Sequence, residues 1–200
     1  MLKIDIYEDC NDHDFTEIHK YKSFTQTNSR IIAVQDKLAK VGPYAYFGTL
    51  SFQYDLAQWY AISVASIHWR KVQKLILGKH WIKKKITPMT GLLVMETHPI
   101  RNKRTTREFS TCHFHHLIGH HPKLPEDRCE AAAQLDYVFA KAAEGLTHKN
   151  KRWQLVSKYG TKVLPVESSR DICGYAAKEA WSFQWNWSDR VRYLCKDGAV

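Results

Sequence analysis

Apolar residues recur along the chain in two rhythms. From Tyr44 to Phe52 aromatic and β-branched residues cluster after the turn signal Gly42-Pro43, which predicts a strand. From residue 55 to 77 the spacing lengthens. Leu56, Tyr60, Val64 and Ile67, then Val72, Leu75 and Ile76, are spaced mostly by three and four, as on an amphipathic helix, and Gly78 is a natural stop. Trp81 to Ile86, with three consecutive lysines, reads as an exposed hairpin arm. Gly91 to Thr97 is apolar until Glu96 and predicts a second strand; residues 99–109 read as a basic loop. Phe109 to Ile118 predicts a third strand, broken by Gly119-His120-His121-Pro122.

Glu126 to Glu144 carries Ala131, Leu135, Val138, Phe139 and Ala142 on one helical face. Glu126 and Asp127 stand at its positive end and Gly145 follows it. Trp153–Tyr159 and Thr161–Val166 read as a strand pair around Gly160. Ser168-x-x-Asp171 resembles a capping box opening a helix that runs to about Trp181. Ile31 to Leu38 fits a further short helix. Strand, helix, strand, strand, helix, strands, helix is the order of an α+β domain with a central antiparallel β-sheet and packed helices. The expected division is an N-terminal extension over 1–40 with no assigned role, a principal domain over 41–181 and a C-terminal tail over 182–200.

Composition narrows the class. The chain has 200 residues, 44% hydrophobic and 25% charged, enough for a buried core. No apolar run approaches the roughly 18–20 residues that span a bilayer, so no membrane partner is expected. The first residues, Met1-Leu2-Lys3-Ile4-Asp5, lack the pattern of a secretory signal. Five cysteines without C-x-x-C spacing argue against a disulfide framework or zinc ribbon and for a reducing, cytoplasmic setting.

Charge is concentrated. The net charge is +10. Between Arg70 and Arg107 stand Arg70, Lys71, Lys74, Lys79, Lys83, Lys84, Lys85, Arg101, Lys103, Arg104 and Arg107, against Glu96 alone. That stretch accounts for the whole excess and suits a polyanion such as nucleic acid. A solvated basic face without a partner is the plain alternative.

Candidate chemistry begins with His113-Phe114-His115. On a strand the two imidazoles share a face about 7 Å apart, with Phe114 on the other, and can converge on one metal ion. Two surface histidines would look the same. Glu96 adds a carboxylate at the end of an apolar strand, where leaving it buried and uncompensated is expensive. The mixed nitrogen and oxygen set suits Mn²⁺ or Mg²⁺ acting on phosphate, although an ion pair with a lysine or arginine would also account for Glu96. His98 is a reserve ligand; His116, His120 and His121 read as accessory or loop residues. In Gly174-Tyr175-Ala176-Ala177-Lys178, Tyr175 and Lys178 share a helical face. An ammonium beside a tyrosine can make its hydroxyl a usable nucleophile; a core tyrosine beside a surface-reaching lysine is the other possibility.

The order Phe47-Gly48-Thr49-Leu50-Ser51, Glu96, His113-Phe114-His115, Tyr175-x-x-Lys178 resembles the HUH endonucleases, and among them the rolling-circle replication initiators of small viruses, phages and plasmids. The resemblance spans roughly residues 44 to 181. Leu164-Pro165-Val166 before the tyrosine helix also fits, whereas a third histidine after the pair departs from the pattern. No G-x-x-x-x-G-K-[ST] signature accompanies it.

The resemblance implies a ferredoxin- or RRM-like domain that nicks and rejoins a specific single-stranded DNA origin, in a loop or hairpin. His113, His115 and Glu96 would hold one Mn²⁺ or Mg²⁺. Tyr175 would attack phosphorus, giving a 5′-phosphotyrosyl link and a free 3′-hydroxyl. Lys178 would stabilise charge or orient the tyrosine. Lys83, Lys84, Lys85, Arg101, Lys103, Arg104 and Arg107 would grip the DNA backbone. Trp59, Trp69, Trp81 or Tyr46 could stack on unpaired bases. Host DNA polymerase and helicase would be partners, in the cytoplasm of a prokaryotic host or wherever the element replicates. A single-strand transposase or plasmid relaxase would share the chemistry; a non-catalytic basic nucleic-acid-binding protein would share only the charge.

Overall fold

The structure, a computed structural model, describes residues 29–54, 56–99, 110–148, 153–178 and 191–193. Among them are four helices and a five-stranded sheet. In chain order they are α1 (Ser29–Ala39), β1 (Tyr46–Phe52), α2 (Gln58–Leu77), β2 (Gly91–Pro99), β3 (Ser110–Ile118), α3 (Arg128–Glu144), β4 (Val156–Pro165), α4 (Ser169–Ala176) and β5 (Val191–Tyr193). The sheet order is β4-β1-β3-β2-β5, with every neighbouring pair antiparallel. From β1 to β4 this is the split β-α-β topology of ferredoxin-like domains, two crossover helices feeding one sheet. The expected α+β class is therefore the observed one.

Alternation along the strands divides the core into two layers. Tyr46, Leu50, Leu93, Met95, Phe114 and Ile118 pack under α2 and α3. Phe47, Leu92, Val94, Leu117 and Val191 pack on the opposite face against α1 and α4. On α3 the predicted face, Ala131, Leu135, Val138, Phe139 and Ala142, is buried, and the Asp127 carboxylate caps the helix by accepting from Glu130 N–H at 2.8 Å. Gly48 is required by close approach: a Cβ there would stand 2.8 Å from Phe139 Cε1. It lets α3 press on β1 directly behind Phe47.

Four expectations need correction. The buried face of α2 runs through Ala61, Val64, Ala65, His68, Trp69 and Val72. Ile67 and Leu75 are about half exposed. Two alanines admit the helix closely to the sheet, and His68 is tolerated inside because Nε2 donates to Phe139 O at 2.9 Å. Trp81–Ile86 forms no hairpin. It is a run of turns closed by Lys84 N–H to His80 O and Ile86 N–H to Trp81 O, with Lys83, Lys84 and Lys85 exposed.

The supposed strand pair around Gly160 is one strand, β4, whose pairing with β1 shifts register between Leu50 and Phe52. Gly160 sits in that irregularity, where a Cβ would lie 2.4 Å from Ser51 O. Its glycine marks a bulge and close backbone approach, two features that read like a turn in sequence. Finally, residues 191–193 of the tail add an edge strand beside β2.

The described part of the N-terminal stretch, α1, packs against α4. Gln35 Nε2 donates to Arg170 O, and Ile31 and Leu38 enter the same core as Ile172 and Cys173. Among the described residues no helix is long and apolar enough to cross a membrane.

Candidate metal centre

Three strands and one helix build the site. The β2–β3 register sets Glu96 opposite His113 and Val94 opposite His115; β1 sets Thr49 opposite His115 and Ser51 opposite His113. Directly paired residues of antiparallel strands project to the same side. The two-residue period therefore delivers Glu96, His113 and His115 to the α4 face and sends Phe114 and His116 to the other. His115 Nε2 donates to Glu96 Oε2 at 2.7 Å, and His113 Nε2 stands 3.1 Å from the same oxygen and 3.2 Å from His115 Nε2. One ligand atom from each residue falls within 4.8 Å of the others.

Helix α4 closes the site. Ser168 caps it by accepting from Asp171 N–H at 3.3 Å, as the sequence predicts, and Ser169 Oγ accepts from Tyr44 N–H. Its regular portion ends at Ala176, short of the predicted Trp181; residues 179–190 lie outside the described residues. Tyr175, in the last turn of α4, and Lys178, two residues past its end, both face Glu96 and His115. Lys178 Nζ contacts Glu96 Oε2 at 2.8 Å and lies 3.9 Å from the centroid of the Tyr175 ring. The Tyr175 ring packs edge-on against His115, centroids 5.2 Å apart. Phe47 stacks on His115 at 4.8 Å and meets Tyr175 edge-on at 5.5 Å. Phe47 thus orients both the imidazole and the tyrosine, which gives the aromatic of the Phe47-x-Thr49-Leu50 stretch a structural reason.

The electrostatics follow from burial. Desolvation works to raise the Glu96 pKa. Hydrogen bonds from His113 and His115, with the Lys178 contact, outweigh it and hold the carboxyl ionised far below its ordinary range. His115 is pulled down to about 4 by burial, against the raising effect of Glu96. It is neutral at pH 7, the state a metal ligand needs. Burial pulls Lys178 down, but Glu96 outweighs it and the ammonium is held above its usual value. The donor set fits a divalent ion: two imidazole nitrogens and one ionised carboxylate oxygen, convergent and almost wholly buried. Glu96, His113 and His115 together can hold a metal ion.

The other sequence candidates separate clearly. His116 is buried on the opposite face among His68, Trp69 and Phe139, so it cannot join the cluster. His120 and His121 follow β3. His120 Nδ1 pairs with Tyr46 OH at 2.8 Å, and His121 bonds Thr87 O and Lys123 N–H. His98 pairs with Thr111 in the strand register. Arg101, Lys103, Arg104 and Arg107 lie outside the described residues. Trp69 and Tyr46 are fully buried and cannot stack on bases; Trp59 is 73% exposed. Two exposed rings that the sequence did not single out, Tyr54 and Trp153, pair with each other. Their only signal was an aromatic residue just past the end of one predicted strand, Tyr54, and another opening a later one, Trp153.

No family model matches the chain, and no curated protein or solved structure is significantly similar to it.

Proposed function

We propose that the chain is a metal-dependent nickase and rejoining enzyme for single-stranded DNA, of the HUH type, that initiates rolling-circle replication with Tyr175 as nucleophile. One observation carries this. Glu96, His113 and His115 converge on the face where α4 and the turn after it set Tyr175 and Lys178 against the same carboxylate and imidazole. A structural ion pair would need neither the second histidine nor a tyrosine packed on the first.

A bound Mn²⁺ or Mg²⁺ would supply Lewis-acid polarisation of the scissile phosphate. The chain's own groups do the rest. His115 and His113 offer ring nitrogens, and ionised Glu96 offers the oxygen that makes the site a mixed donor set. Lys178 sets a cation over the Tyr175 ring and favours the phenolate. Tyr175 Oη forms the bond to phosphorus as the bond from phosphorus to the 3′-oxygen breaks. The phenolic proton is made up on the departing oxygen. The products are a 5′-phosphotyrosine and a free 3′-hydroxyl that a polymerase can extend. The bond energy is kept in the phosphotyrosine, so reversal rejoins the strands without ATP.

The test is cleavage of labelled circular single-stranded DNA, or of an oligonucleotide pool, in Mn²⁺. Wild type should nick; excess chelator, or His113→Ala, should abolish nicking. Undiminished cleavage in chelator would overturn the metal-dependent mechanism. Tight, salt-sensitive binding without cleavage of any strand would leave a nucleic-acid-binding protein.

A further inference from the structure

At the end of the sheet where β1 finishes, aromatic side chains lie uncovered. Tyr54 is 42% exposed and Trp153 63% exposed, their ring centroids 5.8 Å apart. Trp59, 73% exposed, meets Tyr60 at 5.6 Å, and Tyr60 meets His148 edge-on at 6.4 Å. The two groups are one surface, because His148 N–H donates to Trp153 O at 2.9 Å and Gln53 N–H donates to Leu155 O at 2.9 Å. Backbone hydrogen bonds thus hold the rings in place.

Their position and charge say what they face. Ser51 is paired with His113, and Tyr54 follows three residues later, so it lies within about 11 Å of Ser51. The surface therefore stands at the His113 end of the sheet. The chain from 56 to 95, which supplies Trp59 and Tyr60, contains no acidic residue. Neither does the chain from 145 to 166, which supplies His148 and Trp153. Arg70, Lys71, Lys74 and Lys162 are among their basic residues. Two of the three rings, Trp59 and Trp153, are carried on acid-free, basic segments, and Tyr54 stands beside a single acid, Asp55. Rings in that setting match a ligand with flat apolar faces joined by phosphates.

We infer that Tyr54, Trp153 and Trp59 form a stacking surface for unpaired bases of single-stranded DNA, leading the strand to the metal centre. It is sequence-tolerant, because every base presents a π-face. Duplex DNA keeps its bases stacked on one another and gains nothing there. This rests on the nickase proposal for its orientation, but not for its existence: the rings would bind unpaired DNA even if Tyr175 never attacked it.

The experiment measures binding of three fluorescein-labelled ligands at fixed salt: a 20-mer of thymidine, a base-free deoxyribose-phosphate strand of equal length, and a duplex. Proteins are wild type, Tyr54→Ala, Trp59→Ala and Trp153→Ala. Wild type should prefer the thymidine strand to the base-free one. Trp153→Ala should bind the thymidine strand roughly tenfold or more weakly, with base-free and duplex binding unchanged. Calorimetric Mn²⁺ binding should be unchanged in Trp153→Ala, which shows that the metal centre is folded. Equal affinity of the ring variants and wild type for the thymidine strand would overturn the inference. So would an equal loss for the base-free strand. Absence of a covalent DNA adduct in wild type would remove the nickase proposal while leaving the stacking result standing.

Discussion

Lys178→Met removes an ammonium while keeping most of the side-chain volume, and it should move stability and metal affinity in opposite directions. Glu96 is 4% exposed at its side chain and Lys178 18%. Oε2 of Glu96 serves Lys178 at 2.8 Å, His115 at 2.7 Å and His113 at 3.1 Å. Breaking a buried ion pair by removing one partner costs about 3–5 kcal/mol. The lower end applies, because two imidazoles remain and His115, whose pKa Lys178 helps depress, can then take up a proton. About 3 kcal/mol corresponds to a fall in Tm of roughly 6–12 °C for a chain of this size. The same ammonium opposes a cation entering the site. Two unit charges 4 Å apart repel by about 4 kcal/mol at an effective dielectric of 20. Relaxation of the flexible lysine leaves a gain of about tenfold to a hundredfold in Mn²⁺ affinity. Calorimetric melting with and without Mn²⁺, and titration calorimetry at pH 7, measure both. An unchanged Tm in metal-free buffer, or Mn²⁺ affinity equal to or weaker than wild type, would refute the shared role of the carboxylate.

His68 should make the protein acid-labile. Burial pulls its pKa down to about 4, against the bond to Phe139 O. The unfolded chain, with a value near 6.5, takes up the proton first as pH falls. Stability is thus highest above about pH 6.5, and about 3 kcal/mol of it is lost on the way to pH 4. Denaturant melts of His68→Gln, which can still donate to Phe139 O, should show a flatter pH dependence over that window; parallel curves would contradict the assignment. The two faces of β3 give a paired test. His115→Leu should abolish Mn²⁺ binding. His116→Leu should retain it without loss of stability, since neither ring nitrogen of His116 has a hydrogen-bond partner among the described residues. Loss of Mn²⁺ binding in His116→Leu, by titration, would place the wrong imidazole in the site.

The parts of the site governed by strand parity were legible in the sequence. His113 and His115 share a face because the period is two, and Glu96 stood out as the one carboxylate closing an apolar strand. The three-residue spacing of Tyr175 and Lys178 put the ammonium over the tyrosine ring, although Lys178 lies two residues past the end of α4. The same parity would have placed His116 on the far face. What was not legible depends on contacts distant in sequence. No local pattern joins Lys178 to Glu96, and none shows that Phe47 packs on both His115 and Tyr175. The face of α2 was misplaced because alanines and a hydrogen-bonded histidine, rather than the largest aliphatic residues, line the contact. The three residues of β5 were too short a signal, and Gly160 suggested a turn where the strand only bulges.

The most direct measurement concerns the atom that joins protein to DNA. Wild type and Tyr175→Phe are incubated with labelled single-stranded circular DNA and Mn²⁺, denatured, and digested, and DNA-linked peptides are identified by mass spectrometry. A single nucleotide-bearing peptide containing Tyr175 in wild type, and none in the variant, is the expected result. An adduct on another residue, or an equal adduct in Tyr175→Phe, would contradict the assignment of Tyr175 as nucleophile.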